Sequence, residues 1–264
     1  MENYINIVYL IAAICFIYGL KMLSHPKTAR RGNLISSIGM LIAILATLFL
    51  GTISAELSLN WMLIGLAIVI GSIIGFFFSI KVQMTQMPQL VAIFNGFGGG
   101  ASALVACSEY LKVPTDAFTV ISIVLSILVG TLTFTGSLIA FGKLQGIING
   151  RPILFPGQKP LNAIFALLLL FSAFTMIMNG ENATMSFYSL VILSSLLGIL
   201  LVIPIGGADM PVVISLLNSY SGIAATMTGF VLVTTGNESA GNALIICGSL
   251  VGASGIILTK IMCK

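Results

Sequence analysis

The sequence predicts an all-α polytopic membrane protein of about nine transmembrane helices, N-terminus outside and C-terminus inside. Three observations carry the prediction. Of 264 residues 58% are hydrophobic and 7% charged, where a soluble domain carries about 25% charged residues, and the mean hydropathy is +1.15. Apolar runs of membrane length recur along the chain, punctuated by charges, Pro and Gly. The charges themselves are sorted by side, which is what the positive-inside rule asks of a multi-spanning chain.

The spans fall near residues 4–23, 34–52, 59–79, 89–108, 117–141, 161–178, 185–204, 210–234 and 241–260. The first has no basic residue ahead of it and no small-residue cleavage site, so it reads as a retained span and not a signal peptide. With the N-terminus outside, the inside segments hold Lys21, Lys27, Arg30, Arg31, Lys81, Lys143, Arg151, Lys159, Lys260 and Lys264. Only Lys112 falls outside. Glu2, Glu56, Glu109, Asp116, Glu181 and Glu238 fall outside, and Asp209 is the one inside acid. A shift of one helix would scramble this separation.

The net charge of +4 is too scattered to build a basic patch, so no nucleic-acid partner is expected. Cys15, Cys107, Cys247 and Cys263 have no CxxC or metal-ligand spacing, which points to membrane packing and no metal site. His25 is the lone histidine, in the basic inside loop HPKTARRGN between the first two spans, and reads as a solvated surface residue.

Three spans carry polar residues where lipid would not welcome them. In the eighth, IGGADMPVVISLLNSYSGIAATMTG, Gly206 and Gly207 break the preceding run, Asp209 takes the place of a helix N-cap and Pro211 follows in the first turn. Asn218 then lies about 13 Å further in, near mid-membrane. Ser215, Asn218, Gly222, Ala225 and Gly229 share a small, polar face that calls for protein or water against it. Asp209 fits a gate or proton-collecting group and equally a cap; Asn218 fits a functional amide and equally a bond between packed helices.

In the fourth span Pro88 sets the start and Asn95 follows about 10 Å in, sharing a face with Gly99, Ser102 and Ala106. The run NGFGGGAS lacks the preceding strand, the lysine and the downstream acid of a nucleotide loop, so close helix packing is its better reading. In the fifth, Thr131, Thr133 and Thr135 fit hydroxyls bonded to their own helix, while Ser137 lies about 9 Å from the inside end marked by Lys143. Asn95, Ser137 and Asn218 thus come to one depth, and form a hydrogen-bonding layer if their helices adjoin. None of the three titrates near neutral pH, and no span holds a central ionisable group. The loop GKLQGIINGRPILFPGQKPLN, basic, apolar and stiffened by Pro152, Pro156 and Pro160, fits a docking surface or a plain connection.

These segments, IGGADMPVVISLLNSYSG, QMPQLVAIFNGF, TFTGSLIAFGKLQG, VGASGIILTKIMCK and the opening LIAAICFIYGLKMLSHPKTARRGN, resemble the beta subunit of proton-translocating NAD(P) transhydrogenase over essentially the whole chain. The resemblance implies a membrane domain that couples proton movement to hydride transfer between NADH and NADP held on soluble partner domains. Position by position it implies that Asn218 and Ser137 lie on the proton path and that Asp209 is the acid at its mouth. Asn95 departs from the many members that carry a histidine there, and resembles those that place a membrane histidine on the alpha subunit. Gln89 replaces a common acid. Family beta chains normally continue past MCK into a Rossmann-like NADP-binding domain, so residues 1–264 resemble the single transmembrane domain alone, with no NAD(H) or NADP(H) site of their own. The implied partners are the alpha subunit, the NADP-binding domain, membrane lipid and a second copy of the complex; the implied place is the bacterial inner membrane. A free-standing secondary transporter of a small solute is the rival reading, but it calls for an internal repeat, and none is visible in the sequence.

Overall fold

The computed structural model describes residues 2–53, 61–112, 116–179 and 183–263. These form nine helices, α1 (Glu2–Leu23), α2 (Pro26–Ile53), α3 (Trp61–Lys81), α4 (Met87–Tyr110), α5 (Ala117–Leu144), α6 (Gln158–Asn179), α7 (Thr184–Val202), α8 (Met210–Thr234) and α9 (Glu238–Met262), and no strand among the described residues. Each is long and apolar enough to cross a membrane. The expected all-α polytopic architecture is therefore what forms, because in hydrocarbon a helix is the open-ended element that satisfies its own backbone. Of the residues used to orient the chain, Glu56, Glu181 and Lys264 lie outside the described residues.

One boundary moves by a wide margin. HPKTARRGN, expected as a loop, is helical from Pro26, leaving only Ser24 and His25 between α1 and α2. Proline at the first helical position costs no hydrogen bond. His25 O accepts from the amides of Thr28 and Ala29, and Thr28 Oγ1 donates to Met22 O at 2.6 Å. His25 itself is exposed, as expected.

The chain divides into two compact units, residues 1–87 and 88–264. In the first, α1 and α2 pack at backbone distance. A Cβ on Gly32 would stand 2.7 Å from Gly19 O, and one on Gly39 2.8 Å from Cys15 Cβ. Tyr9 and Thr47 share a 2.7 Å hydrogen bond across the same pair. α3 buries none of its residues, and a Cβ on Gly65, Gly71 or Gly75 would meet nothing within 4 Å among the described residues.

The second unit is organised on α5. Gly99 of α4 and Gly130 of α5 face each other so closely that a Cβ on Gly130 would lie 2.5 Å from Gly99 O. On another side of α5, Thr135 Oγ1 donates to Ser195 O of α7 at 2.8 Å and Thr131 bonds to Ser194. On a third, Ser126 bonds to Thr228 of α8 at 2.7 Å. Ser172, Thr175, Ser186 and Ser189 tie α6 to α7. Lipid offers helices no hydrophobic reason to associate, so these small-residue seams and interhelical hydroxyls are what hold them.

Candidate functional site

α4, α5 and α8 do adjoin, and they bring two of the expected residues to one level. Asn95 is buried, and its Nδ2 donates to Ile214 O of α8 at 3.2 Å. Ser137 is fully buried with its Cβ against Gly96, where an added Cβ would come within 3.1 Å, and its hydroxyl has no hydrogen-bond partner among the described residues. Asn218 is half-buried one turn beyond Ile214. The threonines of α5 behave as expected of membrane hydroxyls: Thr131, Thr133 and Thr135 each bond to the carbonyl four residues back.

The layer is bounded by apolar packing on the Asp209 side, while away from it Thr133, Ser102, Ser126 and Thr228 continue a buried polar seam before a second apolar cluster is reached. Towards Asp209 it meets a cluster of Ala92, Ala140, Val202, Met210, Val213, Ile214 and Leu217, in which Ala92 and Ala140 stand one turn from Asn95 and Ser137. Towards the other end stands a larger cluster around Ile123, Ile127, Met176 and Leu190, capped by the stacked rings of Tyr110 and Phe187 at 4.7 Å. Asp209 is thus separated from the layer by packed side chains, of which its neighbour Met210 is fully buried.

One expectation about α8 is corrected and one pair of alternatives is narrowed. The small face splits. Ser215, Gly222 and Gly229 turn towards α9 together with Ser219 and Thr226, while Asn218 and Ala225 stand at its margin, half-buried. Ser215 Oγ donates to Gly255 O at 3.2 Å, Ser219 Oγ to Gly252 O at 2.7 Å, and a Cβ on Gly222 would lie 2.5 Å from Gly252 N. Helical spacing puts Ser219 and Thr226 as near Gly222 as Asn218 is, and only a partner decides which flank is covered. Asp209 occupies the N-cap position of α8 but its side chain makes no capping hydrogen bond, because the turn Gly207–Asp209 leaves its backbone at φ −90°, ψ −2° instead of extended. The carboxylate is exposed.

At the start of α4, Gln89 Nε2 donates to Leu144 O at 3.3 Å, and Gln89 Oε1 is buried without a partner among the described residues.

A family model described as NAD(P) transhydrogenase beta subunit matches residues 5–264. The chain belongs to this family. Two curated relatives named NAD(P) transhydrogenase subunit beta, from Rhodospirillum rubrum and a strain of it, are 46% identical over 265 residues, which is 97% of this chain and 54% of each relative. The chain spans about half the length of the relatives it matches. As a transhydrogenase beta chain with nine membrane-length helices among its described residues, it is a multi-pass membrane protein.

Two features of this beta-subunit chain were not drawn from its sequence. The glycine face of α9, Gly241, Gly248, Gly252 and Gly255, repeats at helical spacing and was legible in principle. Lys143 reads as one more inside lysine, yet it is buried, and no pattern in the sequence distinguishes it from its solvated neighbours.

Proposed function

We propose that this chain is the membrane proton-translocating component of an NAD(P) transhydrogenase, coupling proton movement to hydride transfer between NADH and NADP held on partner domains. The observation that carries this reading is the hydroxyl of Ser137, fully buried against Gly96 in the seam of α4 and α5 and without a partner among the described residues. A buried hydroxyl left unpaired costs roughly 1–3 kcal/mol, which helix packing alone gives no reason to bear. A group that passes protons needs such spare hydrogen-bonding capacity. Asn95, Ser137 and Asn218 hold and hand on, but amides and a hydroxyl do not ionise near neutral pH. The ionisable link is therefore assigned to a membrane histidine of the alpha subunit, with Asp209 as the acid at the mouth. Conduction requires the packing around Met210 to part, so the layer is closed in the present conformation.

The nucleotides, NAD(H) and NADP(H), are assigned to partner soluble domains on the inside face. The loop between α5 and α6, which exposes Ile147 and Leu154 beside Arg151, supplies a surface for the NADP-binding domain. The chain sits N-out and C-in in the bacterial inner membrane, in a dimer of the complex.

The test is Asn218→Ala in the complex with the alpha subunit, read as protons moved per hydride transferred. That ratio does not depend on how much enzyme has folded. It should fall at least tenfold, and a ratio equal to the parent's would overturn the assignment.

A further inference from the structure

Lys143 ends α5, and the structure does not leave it in solvent: the residue is 4% exposed. Its Nζ donates to Ile203 O at 2.5 Å, to Ile205 O at 2.6 Å and to Arg151 O at 3.4 Å. An ammonium has three N–H donors and no acceptor, so three carbonyls use it completely. Among the described residues no carboxylate lies within ion-pair distance of it. Its charge is met by carbonyl dipoles, one of them from Ile203, the C-cap of α7, where a helix presents its negative end.

These carbonyls come from two segments that the main chain also joins. Gly207 N donates to Gly150 O at 2.7 Å, and Ile153 N to Ile203 O at 3.3 Å. One segment is the connection from α7 to α8, which carries Asp209 and Met210; the other is the loop leaving α5. Lys143 stands at their junction, six residues along α5 from Ser137.

We propose that Lys143 is a positioning residue for the Asp209 turn, locking the connection from α7 to α8 against the end of α5. The proposal rests on the reading of Asp209 and the polar layer as parts of a proton path. By fixing the turn, Lys143 fixes where Asp209 and the buried Met210 stand relative to Ser137 and Asn95. The lock needs a cation on a slender stem. A neutral side chain of equal length takes the lysine donor from all three carbonyls and leaves Ile203 O only the amide of Ile153, and the planar fork of arginine cannot converge its N–H groups on one point. Because a buried charge without partners is strongly disfavoured, the ammonium holds all of this nest or the turn opens.

The test uses the complex with the alpha subunit and two variants, Lys143→Met and Lys143→Arg. Hydrogen exchange at the Gly207 and Ile153 amides reads the lock, and protons moved per hydride reads its purpose. With methionine, both amides should exchange at least tenfold faster while α8 beyond Ser219 keeps the parent's rates, and the proton ratio should fall at least fivefold. Arginine should give the same changes in smaller measure. Exchange at the parent's rate in both variants overturns the lock. Faster exchange with an undiminished proton ratio overturns the positioning role. If methionine prevents assembly, the arginine variant carries both readings; if neither assembles, Lys143 serves folding alone and the proposal fails. Measuring Asn218→Ala alongside separates the two ideas: an unchanged proton ratio there removes the proton path, while amide exchange still judges the lock.

Discussion

Asn95 reaches from α4 to the main chain of α8, where its Nδ2 donates to the carbonyl oxygen of Ile214 at 3.2 Å. In an α-helix that carbonyl also receives the amide N–H four residues on, which is Asn218. One acceptor therefore serves the side chain of one expected path residue and the backbone of the other. Asn95→Leu keeps the bulk and removes the donor. It should lower stability by about 0.6 to 1.7 kcal/mol, the span of interhelical hydrogen bonds in membranes. Reversible unfolding in detergent micelles measures this, and an unchanged unfolding free energy would mean the bond contributes nothing.

Ser137→Ala should separate function from stability. Removing a buried hydroxyl that has no partner relieves a desolvation cost of roughly 1–3 kcal/mol, so the variant should be at least as stable as the parent. Protons moved per hydride should nonetheless fall. A variant that is destabilised by more than about 1 kcal/mol would show that the hydroxyl does find a partner.

Asp209→Ala tests the cap against the gate. Since the carboxylate makes no capping bond, stability should change by less than about 0.5 kcal/mol, as for an ordinary surface position. Coupling should drop. A loss near 1 kcal/mol with coupling intact is the signature of a cap instead.

Gly222→Ala should push α8 and α9 apart. Its Cβ would stand 2.5 Å from Gly252 N and 2.7 Å from Gly248 O, which are backbone atoms that cannot turn aside. The expected loss is about 1–3 kcal/mol, as for overpacking elsewhere. Gly65→Ala, where nothing among the described residues lies within 4 Å, is the control and should lose no stability, alanine being better than glycine inside a helix by up to about 1 kcal/mol. Thermal unfolding of the pair compares them directly.

The nine spans were legible because membrane length and hydropathy act on whole segments, and no single residue can overrule them. Depth was legible too: counting turns from Pro88 and Lys143 brought Asn95 and Ser137 to one level, and the α4 to α5 contact at Gly96 puts them there. What sequence left open was rotation. Ser219 and Asn218 lie about 100° apart on α8, and the choice between them belongs to α9, whose glycines admit the backbone on one side only. Lys143 escaped for a related reason. A lysine at a span's inside end is what the positive-inside rule expects, so its burial left no trace in the pattern. The start of α2 was missed because Lys27, Arg30 and Arg31 read as loop charges, although Lys and Arg are good helix formers.

The helix that hides nothing has an optical use. Trp61, the sole indole of the chain, opens α3, which belongs to none of the helices that build the polar layer. Native indole emission from this polypeptide therefore comes from α3 alone. Replacing Trp61 by Phe would darken the background, and a single indole placed at Phe134, against Gly100, would then give a spectrum of the α4 to α5 seam alone.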